Sequence, residues 1–377
     1  MPPETRRPGA SWNSPADAQK SPANSAQGGA YHLLTRFPDH DEVERITANS
    51  AVHDGSDLGA WRTAWGDPTT SVVTLTVTEK GYHLRGDGGL DRDYPAVAAD
   101  LAAMARDRLG AGPTTAPGRL AQGVLARAEL SPQAAVAVVS CDNLHANGEV
   151  ARRVVFDVLE AVAPDTIDWA ASTVRFVSTM VDRITPATTA KDVDQVRYIT
   201  GVDDPATVVI EPFSEWVLGG EFPAGRPRWE RGGALFSDNV SDRERRKLLM
   251  LNGAHSLIAL VGLLRSDAVV AEVVRDDAAV RLLRDWWRAA SALLPFPTAE
   301  LDSYAAAVLE RFSNPRIEHR PAQIAADSSQ KLRVHRPGRA RRARSIHGGA
   351  AGRRDRPRRL GGLLAQSRHP SRRPSGQ

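Results

Sequence analysis

The apolar positions of this chain change their period near its middle. Residues 31–36 form a short apolar strand candidate, and residues 71–78 (SVVTLTVT) alternate β-branched with polar side chains, the two-residue period of a strand. Residues 94–108 and 118–128 space their apolar side chains as helices do. Residues 134–139 (AAVAVV) are a continuous apolar run of strand length, as in a strand covered on both faces. A polar loop over 140–148 leads into a helix over 149–163, and residues 174–180 give another strand. This order predicts a parallel α/β sheet. Ligands of such sheets sit outside the carboxyl ends of the strands, and the polar loops after 78, 139 and 180 all lie at such ends. From about residue 190 the pattern turns helical. Ser241 with Glu244 three residues on reads as a capping box, and helical spacing recurs over 267–275, 278–294 and 298–312.

Composition adds limits. Of 377 residues, 41% are apolar and eight are Trp, enough to bury a real core over two domains of ordinary size. The lone cysteine, Cys141, excludes an intrachain disulfide and reads as a small buried hydrophobe in a reducing compartment. Residues 1–28, rich in Pro, Ser, Ala and Gly, read as disordered, with no apolar core of a signal peptide. The most apolar run, 248–264, is 17 residues long and contains Asn252, His255 and Ser256. It falls short of the ~20 residues that a spanning helix needs. A cytoplasmic protein without a membrane partner is expected.

The net charge of +4 averages two regions. Residues 333–377 hold 14 Arg, no Lys and one acid, Asp355; the rest holds 35 bases against 44 acids. This Arg-rich segment reads as disordered. It has three readings: an arm for a nucleic acid or another acidic partner, a solvated tail, or a GC-rich coding region translated out of frame. No nucleic-acid partner is expected from it. The front shows no strand, glycine turn and helix start of the kind that takes a dinucleotide's pyrophosphate. The cluster Gly86-Asp87-Gly88-Gly89 follows a turn and reads as a loop. The cofactor-binding residues are therefore unassigned. The ten His show no metal-ligand spacing, and no metal is expected.

Five ordered segments carry a resemblance: Thr76-Val77-Thr78-Glu79-Lys80-Gly81-Tyr82; Ser140-Cys141-Asp142-Asn143-Leu144 with Asn147-Gly148; Asp182-Arg183-Ile184-Thr185-Pro186; Lys247 through Leu251 to Asn252-Gly253-Ala254-His255-Ser256; and Arg311-Phe312-Ser313-Asn314-Pro315 through Gln323 to Lys331-Leu332. In these the chain resembles the mannitol dehydrogenase family, whose members include mannitol 2-dehydrogenases, mannitol-1-phosphate 5-dehydrogenases, and fructuronate and tagaturonate reductases. The resemblance implies an α/β Rossmann-like N-terminal domain, here incomplete, over 29–188, and a mostly α-helical C-terminal domain over 189–332. It implies a metal-independent, NAD-dependent oxidoreductase, with NADP left open, that interconverts a polyol or sugar acid with its keto form. The substrate pair is of the mannitol/fructose or mannitol 1-phosphate/fructose 6-phosphate type. Two alternatives are kept: a fructuronate or tagaturonate reductase, and an inactive remnant lacking the glycine motif.

By the same resemblance Lys247 is the general base, and Asn143 and Asn252 hold the substrate oxygen. His255 bonds a substrate hydroxyl, Asp182 lies beside substrate and lysine, and Lys331 meets the polar end of the substrate. Gln323 aligns with a substrate-contacting position that some members fill with arginine. A free lysine, with pKa ~10.4, is protonated at neutral pH; burial among Leu248–Leu251, or a cation such as Arg245 or Arg246, are two ways to make it a base. On an ideal helix Lys247 and Asn252 point about 140° apart. Convergence of Lys247, Asn252 and His255 thus needs a local distortion or a deep substrate.

Overall fold

The computed structural model describes residues 9–12, 28–317 and 319–325. Lys331 and the basic segment 333–377, with the readings attached to them, lie outside the described residues. Four strands precede the main sheet: β1 (Gly9–Trp12), β2 (Tyr31–Arg36), β3 (Asp41–Ile46) and β4 (Asn49–His53). Residues 9–12, inside the segment expected to be disordered, pair in parallel with β4. β2 and β3 form an antiparallel hairpin.

A helix, α1 (Leu58–Gly66), leads into β5 (Val72–Leu75). After a single 3-10 turn, Glu79–Tyr82, come α2 (Pro95–Arg106), α3 (Ala116–Leu130), β6 (Val136–Ser140), α4 (Asn147–Val162), α5 (Ile167–Thr173) and β7 (Val174–Asp182). β5, β6 and β7 pair in parallel, so their carboxyl ends share one edge. The unbroken apolar run of β6 follows from two cores. Val136 and Val138 pack with Val124, Val154 and Val158, while Ala137 and Val139 pack on the other face with Val177 and Leu218. β5 is shorter than the alternating pattern over 71–78. Beyond Leu75 the Val77 N–H turns aside to the Asp142 carboxylate.

Next come α6 (Ala190–Thr200), β8 (Val208–Ile210), β9 (Glu215–Gly219) and β10 (Leu235–Phe236). β8 pairs in parallel with β2, whereas β9 runs antiparallel to β7 and carries β10 on its outer side. The main sheet, in the order β10-β9-β7-β6-β5, is therefore mixed and not purely parallel, and it extends past the boundary expected at 188. The Rossmann-like α/β half is followed by the expected helical half.

That half begins with α7 (Val240–Arg246), which runs through a π turn, Lys247–Asn252, into α8 (Gly253–Arg265). α9 (Val270–Val273), α10 (Asp277–Ser291) and α11 (Thr298–Ser313) complete it. Met250, Ala254 and Ile258 pack with Leu283, Trp287, Tyr304 and Val308 in one core. The pattern over 267–275 yields only the four residues of α9. The continuous helix Val240–Arg265 has 26 residues, longer than the run of 17 read from the sequence, and is apolar and long enough to cross a membrane by length and composition alone. The capping box expected at Ser241 does not form. Asn239 stands at the helix start, and Glu244 reaches across to the loop after β6, where it meets His145 Nδ1 at 2.8 Å and the Ala146 N–H at 3.3 Å.

Candidate active site

The loop after β6 is held by two buried polar groups. Asn147, fully buried, donates to Asp142 O at 2.9 Å and Thr179 O at 2.8 Å and accepts from Thr179 N at 2.9 Å, so it ties the loop to β7. Asp142, also buried, accepts from Ser140 Oγ at 2.8 Å, from the Tyr82 hydroxyl and from Val77 N. Burial pushes its carboxyl above the ordinary value, against the pull of those donors, and burial together with Asp142 pushes the Tyr82 phenol up as well. The Cys141 thiol is pushed up to about 11 by burial and the Asp142 charge, which keeps it from being a nucleophile at neutral pH. Between these fixed neighbours Asn143 stands exposed on the carboxyl edge of the sheet.

Lys247 meets it there. Its Nζ donates to Asn143 Oδ1 at 2.9 Å and to the Val181 carbonyl, at the end of β7, at 2.5 Å. The distortion required between Lys247 and Asn252 is the π turn itself, in which Gly253 N donates to Leu248 O, five residues back. A turn with five-residue bonds is wider than an α turn and brings residues five apart toward one face. His255 follows on the next turn, half-buried, its ring stacked on Phe312 at 5.1 Å and tilted against His319 at the same distance. Burial and the nearby Arg311 charge lower the His319 pKa from its ordinary value.

Asp182 closes β7 one residue beyond Val181. It is 1% exposed, and both carboxylate oxygens are engaged: Arg311 donates at 2.8 and 3.1 Å and the Tyr304 hydroxyl at 2.8 Å. The same guanidinium forks onto Glu211 at 2.7 and 2.9 Å, and Glu211 takes the Ile184 N–H at 2.6 Å. Asp182 thus anchors the strand end behind Val181 instead of presenting a free oxygen. Nor is Arg246 a bare cation beside the lysine. It pairs with Glu215 at 2.5 Å and Glu300 at 3.0 Å. Gln323 is exposed in the middle of a short helical turn over 321–325.

Asp142, Asn147, Tyr82, Glu211, Tyr304 and Arg311 support this edge without having been picked out from the sequence as site residues. For Arg311 a signal exists: it continues the buried stripe Leu301, Tyr304, Val308 of α11, and a cation in an apolar stripe needs buried acids. Among the described residues no group of His, Cys, Asp or Glu is placed to hold a metal ion.

Residues 29–231 match the mannitol dehydrogenase Rossmann domain and residues 239–347 the mannitol dehydrogenase C-terminal domain. The chain belongs to the mannitol dehydrogenase family. Within this family it is 40% identical, over 271 residues, to the uncharacterised oxidoreductase YdfI of Escherichia coli (strain K12), a match covering 71% of this chain and 54% of that protein. It is 38% identical, over 273 residues, to the D-mannonate oxidoreductase of the same organism, with the same coverages of 71% and 54%. Pseudomonas fluorescens mannitol 2-dehydrogenase, solved as a ternary complex with NAD and D-mannitol, superposes with a TM-score of 0.73 at 30% identity, over 82% of this chain and 63% of that one. The chain spans about half the length of these two Escherichia coli members of the family.

The family fold is NAD-binding, so the helix starts that follow the parallel strands bear on cofactor fit. After β6, Gly148 N is taken by Ser178 Oγ at 3.2 Å, and a Cβ on Gly148 would stand 2.6 Å from Ser178 N. After β7, Thr189 and Asp192 close the start of α6 in a capping box. After β5, α2 opens on Pro95, which has no N–H to offer. Among the described residues none of these starts is the strand, glycine turn and helix N-terminus that takes a dinucleotide's pyrophosphate.

Proposed function

We propose that this chain carries the proton-handling part of a secondary-alcohol dehydrogenase for a polyol or sugar acid, with Lys247 as general base. The reading rests on the 2.9 Å contact between Lys247 Nζ and Asn143 Oδ1, which joins side chains 104 residues apart. An ammonium group only donates, so Asn143 turns its carbonyl oxygen toward the lysine and its NH₂ away from it. Those N–H groups are neutral donors for a substrate oxygen. With Asn252 they stabilise the alkoxide that develops as the hydroxyl proton passes to Lys247, without competing for that proton. His255 bonds a neighbouring hydroxyl, and Lys331, outside the described residues, is assigned the far polar end of the substrate. Asp182 serves the site from behind. The expected hydride acceptor is NAD.

The test is an NADH fluorescence titration of the full chain, followed by oxidation of D-mannitol with NAD. Saturable binding and turnover are expected, with Lys247→Met lowering kcat by at least ~100-fold. A folded chain that binds no NADH removes the dehydrogenase reading; a Lys247→Met variant at the parent rate removes the lysine as base. The 38% identity to a D-mannonate oxidoreductase favours a second reading, a sugar acid as substrate. Faster turnover of D-mannonate than of D-mannitol would support it.

A further inference from the structure

The π turn leaves one carbonyl over. In a regular α-helix Leu249 O would accept the N–H of Gly253, but that N–H reaches one residue further back, to Leu248 O. The donor that arrives instead comes from another helix: Trp286 Nε1, on α10, lies 2.8 Å from Leu249 O. Beside it Trp287 Nε1 donates to Met250 O, also at 2.8 Å. The approach of Trp286 depends on Gly253, because a Cβ there would stand 2.5 Å from its Cζ2 atom and 3.2 Å from its Nε1.

We propose that Trp286, given room by Gly253, is a positioning residue for Lys247 and Asn252, its indole N–H selecting the wide turn by taking up the carbonyl that the turn frees. A helix carbonyl without a donor is costly, and a π turn stands only where something outside the helix answers it. Without the indole N–H the helix regains its bond from Gly253 N to Leu249 O by tightening to a regular turn. The residues before and after the turn then rotate against each other. Lys247 then leaves Asn143 and the Val181 carbonyl. Trp286 acts through the helix backbone, where its indole N–H meets Leu249 O. The catalytic consequence rests on the function proposed above for Lys247 and Asn252, but the geometric claim does not.

The experiment compares the full parent chain with Trp286→Phe, which keeps an aromatic ring and loses the N–H. Two readouts need no turnover. One is the rate at which an amine-acylating reagent modifies Lys247, read by peptide mass against Lys80 and Lys191 in the same molecule. The other is backbone hydrogen exchange over 247–254. Expected is modification of Lys247 changed by about tenfold or more relative to the two reference lysines, with altered exchange confined to the turn. A general loss of stability would instead spread altered exchange beyond the turn. Gly253→Ala, which keeps the indole but removes its space, should give the same pattern, and it carries the test if Trp286→Phe fails to fold. A folded variant of either kind with Lys247 modification and turn exchange matching the parent overturns the proposal. Turnover measured alongside separates the two claims. Changed Lys247 reactivity with unchanged kcat sinks the catalytic reading of Lys247 and leaves the role of Trp286 standing.

Discussion

Asp182 and Glu215 face each other across the last rung of the β7–β9 ladder, and each carboxylate is neutralised by a different arginine from the helical half. Arg311 takes Asp182 at 2.8 Å, and Arg246 takes both oxygens of Glu215, at 2.6 and 2.5 Å. Like charges directly opposite on adjacent strands repel, so neither acid is tolerable here without its partner. Arg246 immediately precedes Lys247, and Asp182 immediately follows the Val181 carbonyl that receives the lysine N–H. The two ion pairs therefore brace the lysine from its own helix and from the strand end it leans on.

Removing Arg311 leaves Asp182 and Glu211 buried without their cation. Arg311→Met is expected to cost about 3–5 kcal/mol in urea unfolding. Arg311→Lys should recover only part of that, since a point charge cannot fork onto two carboxylates. Equal urea midpoints for parent and Arg311→Met would show that the pairing contributes nothing.

Asn147 satisfies three backbone groups at once, with a carbonyl oxygen and two N–H donors. Asn147→Ala should destabilise the fold by about 2–4 kcal/mol, because buried groups are left without partners. Asn147→Asp, isosteric but lacking the N–H donors, should not restore it. An Asp variant as stable as the parent would contradict this account.

The close approach of α4 to β7 is set at Gly148. A Cβ there would meet Ser178 N at 2.6 Å and Val177 C at the same distance, and both are backbone atoms that cannot swing aside. Gly148→Ala is expected to lower stability by about 1–3 kcal/mol despite the better helix propensity of alanine. A thermal melt at or above the parent value would show that the helix shifts freely.

Asp192 sets a pH dependence. Burial works against its carboxylate, but hydrogen bonds from Thr189 and the Arg36 guanidinium outweigh it and hold the carboxyl below the ordinary range. A carboxyl lowered in the folded state contributes stability above its unfolded value, ~3.9, and loses it as pH falls through the folded value. The gap in urea midpoint between parent and Asp192→Asn should be wide at about pH 7 and narrow as pH falls below the unfolded value, ~3.9. A gap independent of pH would show that the charge of Asp192 does not matter.

What could be read from the sequence follows from where each element is buried. β6 and β7 were legible because apolar faces on both sides leave a continuous apolar run. β8 and β10, three and two residues long, give no run to read, and the antiparallel return of β9 reverses a direction that no local pattern records. The motifs point to Lys247 and Asn143, which meet, and to Asp182, whose carboxylate is held by Tyr304 and Arg311. Its partner Arg311 lies 129 residues away, beyond any local pattern. Glu244 looked like part of a capping box because its spacing from Ser241 fits one; His145 and the Ala146 N–H, about a hundred residues earlier, compete for it and win.

The wide turn at Lys247–Asn252 also makes the helix longer in sequence than in space. It holds one residue more than a regular helix would need to cover the same rise. A one-residue deletion within 248–251 would leave an unbroken helix and a plausible apolar pattern. Yet every side chain after it would turn by about 100° relative to those before. Alignments across this segment that tolerate a gap of one residue would keep the fold in view and misplace half of the site.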